Sequence, residues 1–288
     1  MKDRRTRKSA AGAACGLAGL LLSVFCYAPG ARAARFVSIN MCADELLLRL
    51  ADPADIASLS YLSRDARNST IATQAAAFPV NRGRAEEVMA LAPDLVFASA
   101  FSAPATLSML RRLGVPLAVL DVPTTFEAIA AQVRGVASRI GRPEAAEREV
   151  HLMNGRLAGL RRELPLPPAT ALVLQANNIA VGAGTLIDSV LAEAGLVNLA
   201  AQAGIVGYGR MPLEAILIRP PDILIVDTDN EGAPALATQA PRHPALVALA
   251  RRGAMRTVDM PSRLWTCAGP GTVEAVAYLR RALQGKTP

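Results

Sequence analysis

One pattern occurs twice in the chain, and it restricts the fold more than any other feature. The first copy is Ala85-Glu86-Glu87-Val88-Met89-Ala90-Leu91-Ala92-Pro93-Asp94-Leu95-Val96-Phe97. The second is Leu213-Glu214-Ala215-Ile216-Leu217-Ile218-Arg219-Pro220-Pro221-Asp222-Ile223-Leu224-Ile225-Val226. Each sets a Glu seven residues before a Pro-Asp pair, and the pair opens a run of branched apolar residues. Such a segment reads as a short amphipathic helix, a proline that stops it and a buried parallel strand. Two copies 128 residues apart point to two similar α/β lobes, each exposing one carboxylate at the same point.

The chain has 288 residues and is 52% hydrophobic, enough for one large or two modest cores. Lys2, Arg4, Arg5, Arg7 and Lys8 precede an uncharged apolar run, Ala10 to Ala28, and Ala31-Arg32-Ala33 follows. These are the parts of a secretory signal over residues 1–33; an uncleaved anchor is the alternative. The leader takes with it six of the 31 basic and one of the 24 acidic residues. The remaining 25 basic and 23 acidic groups leave a net charge of +2, so the overall +7 argues for export and not for nucleic acid. No later stretch is long and apolar enough to cross a bilayer, so a soluble, monomeric protein of the periplasm is expected.

Cys42 and Cys267 lie near the two ends of the processed chain. In an oxidising compartment they are a disulfide candidate; free thiols or a soft-metal pair are the alternatives.

Strand and helix patterns alternate from Arg35 to Ile140, which predicts a largely parallel sheet. Met41-Cys42 reads as a turn after the first strand, Ile56 to Ser63 as the second strand, and residues 64–81 as loop. Gly141 and Pro143 start a helical connector that Pro165 ends. From Ala169 the second lobe follows, with Asn177-Asn178 as a turn, Thr185 as a helix cap, Gly195 as a helix end and residues 196–210 as loop. The domain reading is therefore 1–33 leader, 34–140 first lobe, 141–165 connector and 166–288 second lobe.

Ligands of open α/β sheets sit beyond the carboxyl ends of the strands. Loops predicted at those ends carry Met41, Cys42, Tyr61, Phe101, Tyr208, Arg210 and Trp265, a set suited to a large, flat or greasy ligand. Arg210, Arg82 or Arg84 suits an anionic group on it. Each aromatic could equally pack its own loop. Glu86 and Glu214 read either as helix surface charges or, given their matched placement, as paired docking contacts. Enzyme signatures are missing: there is no Gly-x-Ser-x-Gly, His-Glu-x-x-His or phosphate loop, and His151 and His243 have no obvious partner.

The doubled Glu segment, the leader, the uninterrupted helix between lobes and the opening Ser38-Ile39-Asn40-Met41-Cys42-Ala43-Asp44-Glu45-Leu46-Leu47 together resemble the periplasmic substrate-binding proteins of metal-chelate ABC importers. That family has cobalamin-, ferric-siderophore- and haem-binding members, and the resemblance covers nearly all of residues 35–284. It implies two Rossmann-like α/β lobes of mainly parallel sheet, a long rigid interlobe helix and little closure, the class III binding-protein arrangement. It implies that Glu86 and Glu214 meet basic residues of an ABC permease that works with its ATPase. It implies no cofactor of the protein's own, no catalysis, and a ferric siderophore or cobalamin as ligand, held at Met41-Cys42, Tyr61, Tyr208 and Trp265. Haem-binding members use His or Tyr on the iron; no His falls on a predicted cleft loop here. The paired cysteines depart from the family pattern and suggest a bridge across the cleft. A periplasmic metallochaperone or thiol enzyme using Cys42 and Cys267, and a sensory module of the same fold, are the alternatives.

Overall fold

A computed structural model describes residues 33–163, 169–226 and 243–285. The leader read over 1–33 lies outside the described residues except for Ala33, as do residues 164 and 165 of the connector.

Five parallel strands form the first sheet: β1 (Phe36–Ser38), β2 (Ile56–Ser60), β3 (Val80–Asn81), β4 (Leu95–Ser99) and β5 (Leu117–Leu120), in the order β3-β2-β1-β4-β5. The second sheet runs β11-β10-β6-β7-β9, with β8 also paired to β6; its strands are β6 (Ala169–Gln175), β7 (Ile179–Val181), β8 (Leu196–Asn198), β9 (Tyr208–Arg210), β10 (Ile223–Val226) and β11 (Arg256–Asp259). Pairing is parallel except where β6, β7 and β9 meander antiparallel. The meander begins at Asn177 and Asn178, both at φ +58°, a conformation asparagine tolerates better than most residues. The helices are α1 (Met41–Leu50), α2 (Ala72–Ala75), α3 (Ala85–Ala90), α4 (Pro104–Arg112), α5 (Phe126–Arg139), α6 (Pro143–Arg162), α7 (Leu186–Ala194), α8 (Leu199–Gln202), α9 (Leu213–Ile218), α10 (Pro244–Arg251) and α11 (Val273–Leu283).

Two stretches expected as loop contain structure. Residues 64–81 hold α2 and β3, and 196–210 hold β8, α8 and β9. Elements of two to four residues are too short to show a hydrophobic period. Met41 and Cys42 form the first turn of α1 and not a turn before it, because Asn40 takes the cap. Its Oδ1 accepts from the amides of Cys42 (3.0 Å) and Ala43 (3.1 Å).

The repeated segment folds the same way twice, as α3-β4 and α9-β10. Its aspartates do matching work. Asp94 Oδ2 accepts from the amide of Arg35 (2.8 Å), just ahead of β1, and Asp222 Oδ2 accepts from the amide of Thr170 (2.7 Å), at the start of β6. Each carboxylate thus clasps the strand parallel to its own and sets the register of the central pair.

Strand alternation divides the core into layers. Phe36 and Phe97 of the first sheet, and Ala171, Val173, Ile223 and Ile225 of the second, face one shared cluster. Val37 and Val96 face a cluster behind the first sheet; Leu172, Leu174, Leu224 and Val226 face one behind the second. Residues from α1, α5, α6, α7 and α11 fill the shared layer, so both sheets rest on one hydrophobic body. The connector α6 is fastened to both sides of it. It forms ion pairs to α1 (Arg49–Glu149, 3.2 Å) and α5 (Arg134–Glu147, 2.7 Å), and also to α7 (Arg161–Glu193) and α11 (Arg156–Glu274). Each exposed pair contributes little, but their spread opposes rotation of α6.

The two cysteines form a disulfide with Cα atoms 5.0 Å apart, which joins α1 to the segment before α11. Beside it, Glu45 is buried and accepts from the Gly271 amide at 3.1 Å. A Cβ on Gly269 or Gly271 would stand 2.8 or 2.7 Å from that carboxylate, so only glycine lets the segment lie this close.

Because the bridge closes a separation of 225 residues, its removal in C42A/C267A should cost roughly 2–5 kcal/mol in denaturant unfolding, and a dithiol reductant should do the same to the wild type. Hydrogen bonds from Thr170 hold the Asp222 carboxyl below its ordinary 3.8. A depressed pKa stabilises the fold above the unfolded value and loses that effect as pH falls through the folded one. Thermal melts should therefore show Asp222→Asn less stable than wild type by about 1 kcal/mol at neutral pH, with the difference closing below pH 3.8.

Candidate functional site

All five strands of the first sheet end on the same edge, and the residues that follow them stand there in sheet order: Arg82 after β3, Tyr61 after β2, Asn40 and Cys42 after β1, Phe101 after β4, and Val122 after β5. At ~4.8 Å per strand the row spans roughly 19 Å. The apolar members stand open: Tyr61 is 44% exposed, Phe101 83% and Val122 51%. Isolated exposed apolar residues are ordinary, but a row along the ligand-binding edge of a parallel sheet is not. A cavity of about 80 Å³ lies at the centre of the row. Asn40, Cys42, Ser99, Phe101 and Asp121 line it from the first sheet's connections, and Thr266 from beyond β11, so its walls come from both halves of the chain.

Local hydrogen bonds fix the two residues best suited to grip a ligand. Asn81 Nδ2 donates to the carbonyls of Ser38 (2.8 Å) and Leu59 (3.0 Å) and to Ser58 Oγ (2.9 Å), which holds the end of β3. Gly83 turns the chain at φ +72°, and the Arg82 amide donates to Glu87 Oε2 (2.7 Å). Arg82 then lays its guanidinium over the Tyr61 ring, 5.3 Å from the centroid, a cation–π contact.

Tyr61 opens a 3-10 turn, Tyr61–Arg64, that is held by a buried acid. Asp44 Oδ2 accepts from the Ser60 amide (2.9 Å) and from the Ser63 hydroxyl. Burial pushes the Asp44 carboxyl up to about 7, against the hydroxyls of Ser38 and Ser63 and the Ser60 amide, which favour the charged form. Burial also pushes Glu45 up, against Arg49 and the Gly271 amide. Neither acid was singled out from the sequence, although a signal was present: both sit among the buried Ala43, Leu46, Leu47 and Leu50 of α1.

The other expected site residues divide. Cys42 lines the cavity as half of the disulfide, and Met41 is half-buried at the first position of α1. Tyr208 and Arg210 are exposed and, two residues apart, share a face of β9; they lie on a strand and not on a loop. That strand comes close because Gly209 and Gly182 leave no Cβ to meet Ile205. Trp265 does not join the open row. At 8% exposure it is packed into the shared core, since the 3-10 turn at Ser262–Leu264 carries it inward. Glu86 and Glu214 are exposed in the first turns of α3 and α9, and neither has an ion-pair partner among the described residues. His243 caps α10, its Nδ1 accepting from the Ala245 amide at 3.2 Å, and His151 is exposed on α6.

A protein-family model described as periplasmic binding protein matches residues 37–249. No curated protein matches the chain closely enough to count as a relative. Among solved structures, the periplasmic heme-binding protein RhuT from Roseiflexus sp. RS-1 is 24% identical with a TM-score of 0.69, the match covering 88% of this chain and 98% of that one. The periplasmic heme-binding protein HutB of Vibrio cholerae is 18% identical with a TM-score of 0.72, over 87% of this chain and 98% of that one. The periplasmic vitamin B12 binding protein BtuF of Vibrio cholerae is 21% identical with a TM-score of 0.65, over 87% and 96%. At these identities the structures establish a shared fold; the family model spans most of the folded region, and the chain belongs to the periplasmic binding protein family.

Proposed function

We propose that the protein is the periplasmic substrate-binding component of an ABC importer, and that it carries a flat, anionic iron(III) chelate, of which haem fits best. The observation that carries this reading is the open Tyr61 ring with Arg82 over it, beside exposed Phe101 and Val122 on one sheet edge. A phenol oxygen is a hard donor suited to iron(III), the apolar row suits a macrocycle face, and a guanidinium suits a carboxylate arm. The expectation from the sequence set haem aside for want of a cleft histidine; the exposed Tyr61 answers that objection. The haem-binding descriptions of RhuT and HutB support the same ligand class, and that of BtuF supports cobalamin as the contender. In this reading residues 34–140 and 166–288 act as two jaws and 141–165 as the strut between them. The disulfide and the shared core favour a preformed site that closes little, which lowers the ordering cost of binding. With Cys42 and Cys267 joined, the metallochaperone and thiol-enzyme readings lose their soft ligand and their nucleophile.

Titration with ferric protoporphyrin IX should give a stoichiometric absorbance change; Tyr61→Phe should shift the bound spectrum and Arg82→Ala should weaken binding about tenfold. Tight binding of cyanocobalamin or a ferric siderophore in place of the porphyrin would overturn the haem assignment. The exposed, unpaired Glu86 and Glu214 act as the permease contacts in this reading. E86R/E214R should abolish chelate uptake into vesicles carrying the permease and its ATPase while leaving chelate affinity unchanged. Undiminished uptake would favour the sensory-module alternative.

A further inference from the structure

We infer that Asp44 is a positioning residue for the cargo site: its buried carboxyl fixes the turn that presents Tyr61. This rests on the reading of Tyr61 as a cargo contact. The same oxygen, Asp44 Oδ2, takes the Ser60 amide and the Ser63 hydroxyl, which lie on either side of Tyr61 in sequence. Few other bonds hold this turn. The Leu62 amide reaches Ser60 Oγ at 3.4 Å, a weak contact, and the Asp65 amide reaches the Leu62 carbonyl at 3.1 Å. Tyr61 itself is half open, so packing alone does not orient it.

The location of Asp44 is costly for a core. It is fully buried on the apolar face of α1, its Oδ1 has no hydrogen-bond partner among the described residues, and Ala or Leu would suit that face better. A buried carboxyl kept under such conditions has a geometric task, and the only groups its Oδ2 holds are the two ends of the Tyr61 turn. Its own base does not move. Asp44 lies two residues after Cys42 and directly before Glu45, so the disulfide and the Glu45–Gly271 bond anchor the turn of helix from which it reaches. The path from Cys267 through α1 and Asp44 to Tyr61 is continuous, and it couples the aim of a first-sheet residue to the segment before α11.

The test uses the full chain, oxidised, with ferric protoporphyrin IX as probe, and compares Asp44→Ala, Asp44→Asn, Ser63→Ala and Tyr61→Phe. Circular dichroism and melting confirm that each variant is folded, and Ser63→Ala, the mildest change, decides if Asp44→Ala does not fold. Asp44→Ala and Ser63→Ala should each weaken binding about 10-fold or more, the loss typical when a group that orients a metal contact is removed. They should also move the absorbance of the bound porphyrin toward the Tyr61→Phe spectrum, a change that a loss of general stability would not produce. Asp44→Asn keeps an acceptor oxygen in place and should restore most of the wild-type spectrum. Wild-type affinity and spectrum in Ser63→Ala and Asp44→Ala, with Tyr61→Phe altered, would overturn the inference alone. An unaltered Tyr61→Phe would overturn the cargo reading beneath it.

Discussion

The first two turns of α1 hold the molecule's two ends together. Cys42 is bonded to Cys267, Glu45 is seated on Gly269 and Gly271, and Asp44 reaches the other way to the Tyr61 turn. One short helix, capped by Asn40 at the edge of β1, therefore connects a segment at the end of the chain to a ligand-facing turn near its beginning. Two buried acids are an unfavourable way to fill a helix face, since desolvation works against their charge. Both are tolerated because amides, hydroxyls and Arg49 satisfy them in place, and both restrict geometry in a way that an alanine or leucine would not.

The same joint explains why a rigid carrier is the natural reading of this architecture. Alternate residues of both sheets enter one hydrophobic layer, α6 is ion-paired to helices packed on either sheet, and a covalent bridge closes the far side. A hinge needs segments that can change φ and ψ without breaking packed contacts. Here the connections run through the densest part of the core. Binding energy is then free to act on the cargo and not on closing the cleft, which is the advantage of a preformed site.

Much of this was legible in the residues. The doubled Glu-to-Pro-Asp segment announced both helix–strand units, and Pro143, Thr185 and Gly195 marked helix ends where the structure has them. Tyr61, Phe101 and Tyr208 stand open as expected. What stayed hidden was short or long-range. β3 has two residues, yet it places Arg82 over Tyr61. Asp94 and Asp222 looked like helix stops, and their bonds to Arg35 and Thr170 span 59 and 52 residues. Trp265, read as a wall of the cleft, is core, because a loop position carries no sign of which way its side chain turns.

The sequence by itself determined the α/β alternation, the duplication and the exposed acid in each copy, because hydrophobic period and proline placement act over a few residues. The tertiary structure decided which of the possible cysteine states holds, which aromatics face outward, and that two acids of α1 belong inside. Those outcomes depend on distances between residues far apart in the chain, and the energy of a buried charge or a bridge exists only once the partners have met.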